Sequence, residues 1–262
     1  MEGVDKNGEK SPRAKRAKKT MSENSDETEK PDSQPIFNIP GTVSALIAAF
    51  LAIQAAQSFV FSERAQLLFN MWFGFIPLRL THPEAIAGGL WPLIWTPVTH
   101  AFLHAGWEHV LINSAWMLVF GTPVARRYGS RATLIAFTAA AVVGAAMFAL
   151  FSSPQISILV GASGGISGLT GIAMRFVFQP VVVGPDPETG KPAVLGRSLA
   201  SWPDIARSVP ARTFIIFWLV LNALVPLVPA LTGGLAASVA WQAHLGGFVF
   251  GLLVAPLLER RT

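Results

Sequence analysis

The chain has 262 residues, 52% of them hydrophobic and only 13% charged, where an ordinary soluble domain carries about a quarter charged. Its formal charge of +5 comes without a basic stripe interleaved with aromatics, so nucleic acid is not an expected partner. There is no cysteine, which excludes disulfides and thiolate chemistry.

Charge is concentrated at the N-terminus. Residues 1–35 hold 8 basic and 8 acidic side chains, leaving 12 and 7 for the other 227 residues. Residues 1–38 are therefore expected to form a disordered cytoplasmic tail, with Arg13, Lys15, Arg16, Lys18 and Lys19 able to touch anionic lipid head groups. The tail opens without an apolar h-region, so a cleaved leader is not expected. Residues 39–262 read as a polytopic membrane domain.

Six apolar stretches follow in order: Thr42–Phe61, Val110–Val124, Ala132–Phe151, Ser163–Phe178, Phe214–Val228 and Ala236–Leu258. The expected fold is all-α, a bundle of six transmembrane helices. The second, fourth and fifth stretches fall short of the roughly 20 residues a spanning helix needs, which points to burial inside the bundle or to ends below the membrane surface. Between the first two, residues 62–106 are rich in Trp, Phe, Leu and Pro, including Trp72, Phe73, Phe75, Trp91 and Trp95. A loop of that composition is expected to be ordered and to lie in the outer interface. In the loop after the fourth stretch, Pro185-Asp186-Pro187-Glu188-Thr189-Gly190 is a turn signal.

Basic residues set the orientation. With the N-terminus in the cytoplasm, Arg126, Arg127, Arg131, Arg175, Lys191, Arg197, Arg207, Arg212, Arg260 and Arg261 are all cytoplasmic, and only Arg64 and Arg79 face out. Both termini are then cytoplasmic, and the expected location is a bacterial inner (plasma) membrane.

Several chemistries are excluded by absence. No Asp occurs between Asp32 and Asp186, so a pair of membrane carboxylates sharing a proton is unavailable. The zinc-protease pattern fails because Glu108-His109 is followed by Ile112 and Asn113 with no second His. His100 and His104 are four apart and could share a helix face as metal ligands, but no carboxylate completes a set; no metal is expected.

Ser163, His244 and Asn113 remain as polar groups within apolar helices, where such residues are functional candidates by default. Counted from the inner end of each stretch at 1.5 Å per residue, they stand roughly 22, 21 and 17 Å up, in one layer of a hydrocarbon core about 30 Å thick. Gly161, Gly164, Gly168 and Gly171 form one smooth helix face, and His244, Gly247 and Gly251 form another. Such faces serve packing alone in many membrane helices, and a membrane serine often bonds only its own backbone. Matched depth and matched faces favour a Ser163–His244 hydrogen bond. His244 would take the proton of Ser163 as it attacks a peptide carbonyl. Asn113, His109 and the start of the fourth helix would donate to the oxyanion. With no carboxylate nearby, the expected machinery is a dyad.

These motifs resemble the rhomboid family over roughly residues 40–258. Gly161-Ala162-Ser163-Gly164 is similar to its nucleophile motif. His244-Leu245-Gly246-Gly247-Phe248-Val249-Phe250-Gly251 is similar to its last-helix His-x-x-Gly-x-x-x-Gly. His109-Val110-Leu111-Ile112-Asn113 resembles its second-helix His-x-x-x-Asn, and Arg126-Arg127-Tyr128-Gly129-Ser130 the turn after that helix. The resemblance implies a six-helix core, a first loop lying in the membrane, structural roles for His100 and His104, cleavage of transmembrane protein substrates within the lipid bilayer, and no cofactor. Ser167 stands where some members have an aromatic residue packing under the base, and Trp95-Thr96 where a Trp-Arg pair is common. Ser167 could hydrogen-bond His244 or simply let helices approach, and Trp241 could pack below the base. Two other readings are a rhomboid-like protein that grips transmembrane helices without cutting them, and a small transporter, against which the lack of an internal repeat counts.

Overall fold

The computed structural model describes residues 38–151, 157–186, 189–224 and 240–259. The charged tail, apart from Asn38, lies outside the described residues, as do the last four residues of the fifth apolar stretch and the first four of the sixth. The described chain is mainly helical. Three of its helical stretches are long and apolar enough to cross a membrane: Gly41–Phe59, Trp107–Phe151 and Trp241–Glu259.

Helix α1, Gly41–Phe59, starts directly after Pro40. It turns Val43, Leu46 and Phe50 into the core. The first loop is ordered, in accord with its composition. Ser62 caps α2 (Glu63–Phe73) by accepting the Ala65 N–H at 3.3 Å. Short 3₁₀ turns at Pro77–Leu80, Pro83–Ala85 and Trp91–Ile94 follow, then α3 (Thr96–Thr99) and one more turn, His100–Phe102. Arg79, assigned to the outer side of the membrane, is fully buried within this loop. Its guanidinium donates to the carbonyls of Ala87 (2.8 Å), Gly89 (2.9 Å) and Met71 (3.0 Å), so one side chain gathers three parts of the loop. Trp95 Nε1 donates to the Trp72 carbonyl at 2.7 Å, with the two indoles stacked.

The 45-residue stretch Trp107–Phe151 is not one straight rod. It comprises α4 (Trp107–Trp116), a wider π turn at Met117–Gly121 and α5 (Thr122–Phe151). Inside α5, Gly129 has φ 77° and ψ 171°, which breaks the helix. Contacts show that the chain reverses there. His109 lies against Gly161. Tyr128 Oη donates to Glu259, at the far end of the last helix, at 2.6 Å. Gly144 is back beside Ala243, next to His244. Only glycine takes this positive φ without strain, so Gly129 turns one apolar run into two antiparallel legs.

Helix α6, Ser163–Met174, is buried at every position after its first. It was expected to reach Phe178 but stops sooner. Arg175 leaves the helical path with its guanidinium bonded to the Ala200 and Leu252 carbonyls and placed over the Trp202 ring, 4.6 Å from its centroid. Total burial accounts for the shortness of this helix: the surrounding legs cover it on all sides.

The all-α expectation needs a correction in the loop that follows. Strands β1 (Val181–Pro185) and β2 (Pro192–Arg197) pair antiparallel, and beyond them the Asp186 N–H donates to the Lys191 carbonyl and the Gly190 N–H to the Asp186 carbonyl. The runs Val181-Val182-Val183 and Val194-Leu195 have the apolar, largely β-branched content that suits strands, with Val183 opposite Val194 and Val181 opposite Arg197, and the turn signal between them marks a hairpin. Helix α7 (Trp202–Arg207) was also not anticipated. Its start is a capping box in which Ser201 and Asp204 exchange hydrogen bonds. Those bonds, the Ser201 hydroxyl first and its backbone N–H second, hold the Asp204 carboxyl below the usual carboxylate range.

Helix α8 (Val209–Leu224) buries only Ala211 and Trp218. Helix α9 (Trp241–Glu259) runs parallel to α6, with Gly247 against Gly164, Gly251 against Gly168 and Phe248 against Gly171.

Candidate active site

The glycine faces meet as their spacing suggested. A Cβ on Gly247 would run into the carbonyl oxygen of Gly164, and one on Gly251 into that of Gly168. Backbones this close put the side chains at the same end of the two helices within bonding reach. Ser163, the first residue of α6, and His244, in the first turn of α9, are those side chains. Ser163 Oγ lies 2.7 Å from His244 Nε2.

The other face of the imidazole bond was not foreseen. His244 Nδ1 lies 2.6 Å from Asn222 Oδ1, on α8. Both ring nitrogens are therefore occupied, one by Ser163 and one by Asn222. This leaves Ser167 with the packing role of its two alternatives, and the expected place of Trp241 is corrected. The Ser167 hydroxyl, though buried, does not bond the imidazole, because no ring nitrogen is left for it. Trp241 does not pack below the base: it is the first residue of α9, on the side of His244 away from Glu259, and is 41% exposed. A signal for Asn222 was present in the sequence. It is the amide of an otherwise apolar stretch, 10 residues after Arg212 and so roughly 15 Å up the helix, near the layer of the other polar groups.

The segment before Ser163 is held by the first loop. Phe75 and Leu159 exchange backbone hydrogen bonds at 3.1 and 2.8 Å, and the Gly161 N–H donates to the His100 carbonyl at 2.9 Å. Gly161 has φ 124°, and a Cβ there would lie 2.8 Å from the His109 ring. Conformation and space each require glycine at this position.

His109 Nδ1 accepts the Ala105 N–H at 3.4 Å. Its proton is then on Nε2, the atom facing Gly161 beside Ser163 Oγ. Asn113, one turn further along α4, is buried with its amide nitrogen lacking a hydrogen-bond partner among the described residues. The first backbone N–H groups of α6 also point to this end, as in any helix start. The His109 ring and the first N–H groups of α6 thus lie beside the serine. A hydroxyl donating to a neutral imidazole, beside unspent donors, can attack a carbonyl and hold the resulting oxyanion.

His100 and His104 do not share a helix face, which corrects the geometry behind a metal pair. His100 is in a 3₁₀ turn with Nδ1 bonded to the Thr96 carbonyl at 2.9 Å, Leu103 is extended, and His104 packs on the Phe50 and His109 rings. Among the described residues, no three His, Asp or Glu side chains gather as a metal site.

A model of the rhomboid domain matches residues 92–182 and 192–261. The chain belongs to the rhomboid family. The matched regions contain Ser163, His244, His109, Asn113 and Asn222; α1 lies before them. Among curated proteins, this rhomboid is 28% identical over 192 residues to proteins named Rhomboid protease GlpG from Yersinia pestis and Yersinia pseudotuberculosis, covering 69% of this chain and 57% of the relatives. It is 27% identical over 161 residues to RHOMBOID-like protein 1 of Arabidopsis thaliana, covering 62% of this chain and 33% of that protein. The chain thus spans less than two thirds of the length of these relatives. Family and apolar helices together make it an integral membrane protein.

Proposed function

We propose that this rhomboid is an intramembrane serine protease that cleaves transmembrane segments of other membrane proteins. The observation that carries the reading is the 2.7 Å contact between Ser163 Oγ and His244 Nε2 across two helices of an apolar bundle. The curated relatives named as proteases support it further. His244 Nε2 takes the hydroxyl proton as Ser163 Oγ bonds to the substrate carbonyl carbon. His109 Nε2–H, the Asn113 amide and the first N–H groups of α6 receive the oxyanion. His244 then gives its proton to the leaving amine, and a water activated by the same imidazole hydrolyses the acyl-enzyme.

Six spans are proposed: α1, the two legs on either side of Gly129, α6, α8 and α9. Residues 39–262 form the membrane domain, and residues 1–38 are a cytoplasmic tail. Both termini lie in the cytoplasm of a bacterial cell, with the protein in its inner membrane. Arg127, Arg175 and Arg197 support this orientation, since they meet near the Glu259 end of α9, opposite Ser163, as the positive-inside rule requires.

The test uses purified full-length protein in detergent with a tagged single-span substrate rich in Ala and Gly near its outer end. Wild type should cut it, while Ser163→Ala and His244→Ala should fold and not cut. Cutting by pure Ser163→Ala overturns the serine mechanism. Stable binding of the substrate by wild type without cutting establishes the helix-gripping alternative instead.

A further inference from the structure

Helix α8 exposes most of its length, yet it brings one amide to the imidazole. Two contacts join α8 to α9 there. Trp218 stacks on Phe248, with centroids 4.3 Å apart and planes 20° apart. One turn along each helix, Asn222 Oδ1 meets His244 Nδ1 at 2.6 Å. The orientation of the Asn222 amide follows from its second bond. Nδ2 donates to the Trp218 carbonyl at 2.8 Å, and a carbonyl can only accept. The NH₂ end therefore points back along α8, and Oδ1 points at the ring.

An amide oxygen likewise can only accept. His244 must then carry its proton on Nδ1, which leaves the Nε2 lone pair for the Ser163 hydroxyl. The alternative tautomer would set the Nδ1 lone pair against Oδ1 and a proton against Ser163, where it could not serve as base. When the ring becomes cationic during the reaction, the same Nδ1–H bond becomes charge-assisted and strengthens.

We propose that Asn222 is a positioning residue, holding His244 in the Nδ1–H tautomer and turned toward Ser163, so that the three side chains act as one Ser–His–Asn array. The catalytic part of this inference rests on the protease reading above; the tautomer part does not. The Trp218–Phe248 stack fixes where Asn222 stands, and Asn222 fixes how His244 faces. In this array a neutral amide does the orienting that a carboxylate does in a triad, and it does so without placing a charge inside the membrane.

The experiment takes the full chain in detergent with ¹⁵N-labelled histidine. The His244 signals are identified by their loss in His244→Ala. Wild type should show the Nδ1–H tautomer at His244. Asn222→Leu, similar in size and unable to accept, should show mixed tautomers and a kcat lower by roughly tenfold to a hundredfold, as for a lost hydrogen bond to a group that becomes charged, with KM little changed. Asn222→Asp keeps the acceptor and should recover most of the rate. Finding His244 of the wild type in the Nε2–H tautomer overturns the proposal, and that measurement stands even if Asn222→Leu does not fold. An unchanged kcat in folded Asn222→Leu overturns it as well, as does a loss of rate with the wild-type tautomer and no rescue by Asp. If wild type cuts no substrate, the protease reading fails while the spectra still decide the role of Asn222.

Discussion

The carbonyl oxygen of Gly168 occupies the place where a side chain on Gly251 would begin. That close approach, repeated at Gly164 and Gly247, brings α6 and α9 near enough for Ser163 to reach His244. Because the obstacle is backbone, no rotamer change can relieve a clash there. Gly251→Ala should therefore push the helices apart. The expected cost is about 1–3 kcal/mol, typical of overpacking a filled interior. Activity should fall more than stability implies, since a displacement of about 1 Å between reacting groups can cost on the order of a hundredfold. Thermal unfolding in detergent and kcat, measured on one preparation, check both. A fully active Gly251→Ala protein would mean that the helix spacing does not set the Ser163–His244 distance.

Asn113 separates function from stability in the opposite way. Its amide nitrogen is buried without a hydrogen-bond partner among the described residues, and such a donor costs about 1–3 kcal/mol in the resting protein. Asn113→Ala removes that penalty while opening a small cavity, so the melting temperature should change little. Turnover should fall by roughly 10²–10³, the effect of losing one oxyanion donor, with KM less affected. Equal turnover in Asn113→Ala and wild type would assign the residue to packing.

The sequence carried much of this arrangement in its spacing. A run of glycines at helical intervals, an apolar surround and three polar groups at matched depth were enough to pair Ser163 with His244. The start of α6 at Ser163 and the order of the first loop were also legible. Features that depend on a long-range partner were not. The reversal between the second and third apolar stretches is the exception, since Arg126-Arg127-Tyr128-Gly129-Ser130 already resembled a turn; the structure adds the positive φ of Gly129 that makes it. The burial of Arg79 was not legible, because the carbonyls of Met71, Ala87 and Gly89 that hold it come together only when the loop folds. Asn222 carries no local sign of a tie to the base, being a neutral amide far from His244 in sequence. Its stretch of chain is separated from His244 by 22 residues, and only the packing of α8 on α9 joins them.

Arg79 itself gives a further prediction. A planar fork reaches three carbonyls that a single ammonium cannot span at once. Arg79→Lys should therefore behave much like Arg79→Met, and both should loosen the loop. Hydrogen bonds to a charged group are worth about 1.5–3 kcal/mol. Because the loop also anchors Gly161 through His100, both variants should lose turnover as well as stability. Hydrogen exchange across residues 71–102 provides the local readout. Full protection in Arg79→Lys would show that the charge alone suffices.

The last prediction concerns the substrate. Ser163 stands inside a bundle of helices, half-buried, with the His109 ring of α4 to one side. A substrate that arrives as an intact helix has every mid-helix carbonyl already bonded to an N–H four residues on, and in lipid those bonds are not surrendered to water. For a carbonyl to reach Ser163 Oγ and the oxyanion donors, the substrate must first unwind about a turn. Residues that weaken helices lower that cost: glycine by about 1 kcal/mol relative to alanine and proline by about 3. Replacing one Gly near the cleavage site by Leu should therefore slow cutting by several-fold, and replacing a Pro by more, when the substrate is embedded in vesicles. The same pairs presented as short unstructured peptides should differ much less, since no helix has to open. That comparison separates unwinding from side-chain fit at the site. If an uninterrupted poly-Leu span is cut as fast as the Gly- and Pro-containing one in vesicles, unwinding is not a limiting step and the carbonyl reaches Ser163 by another route.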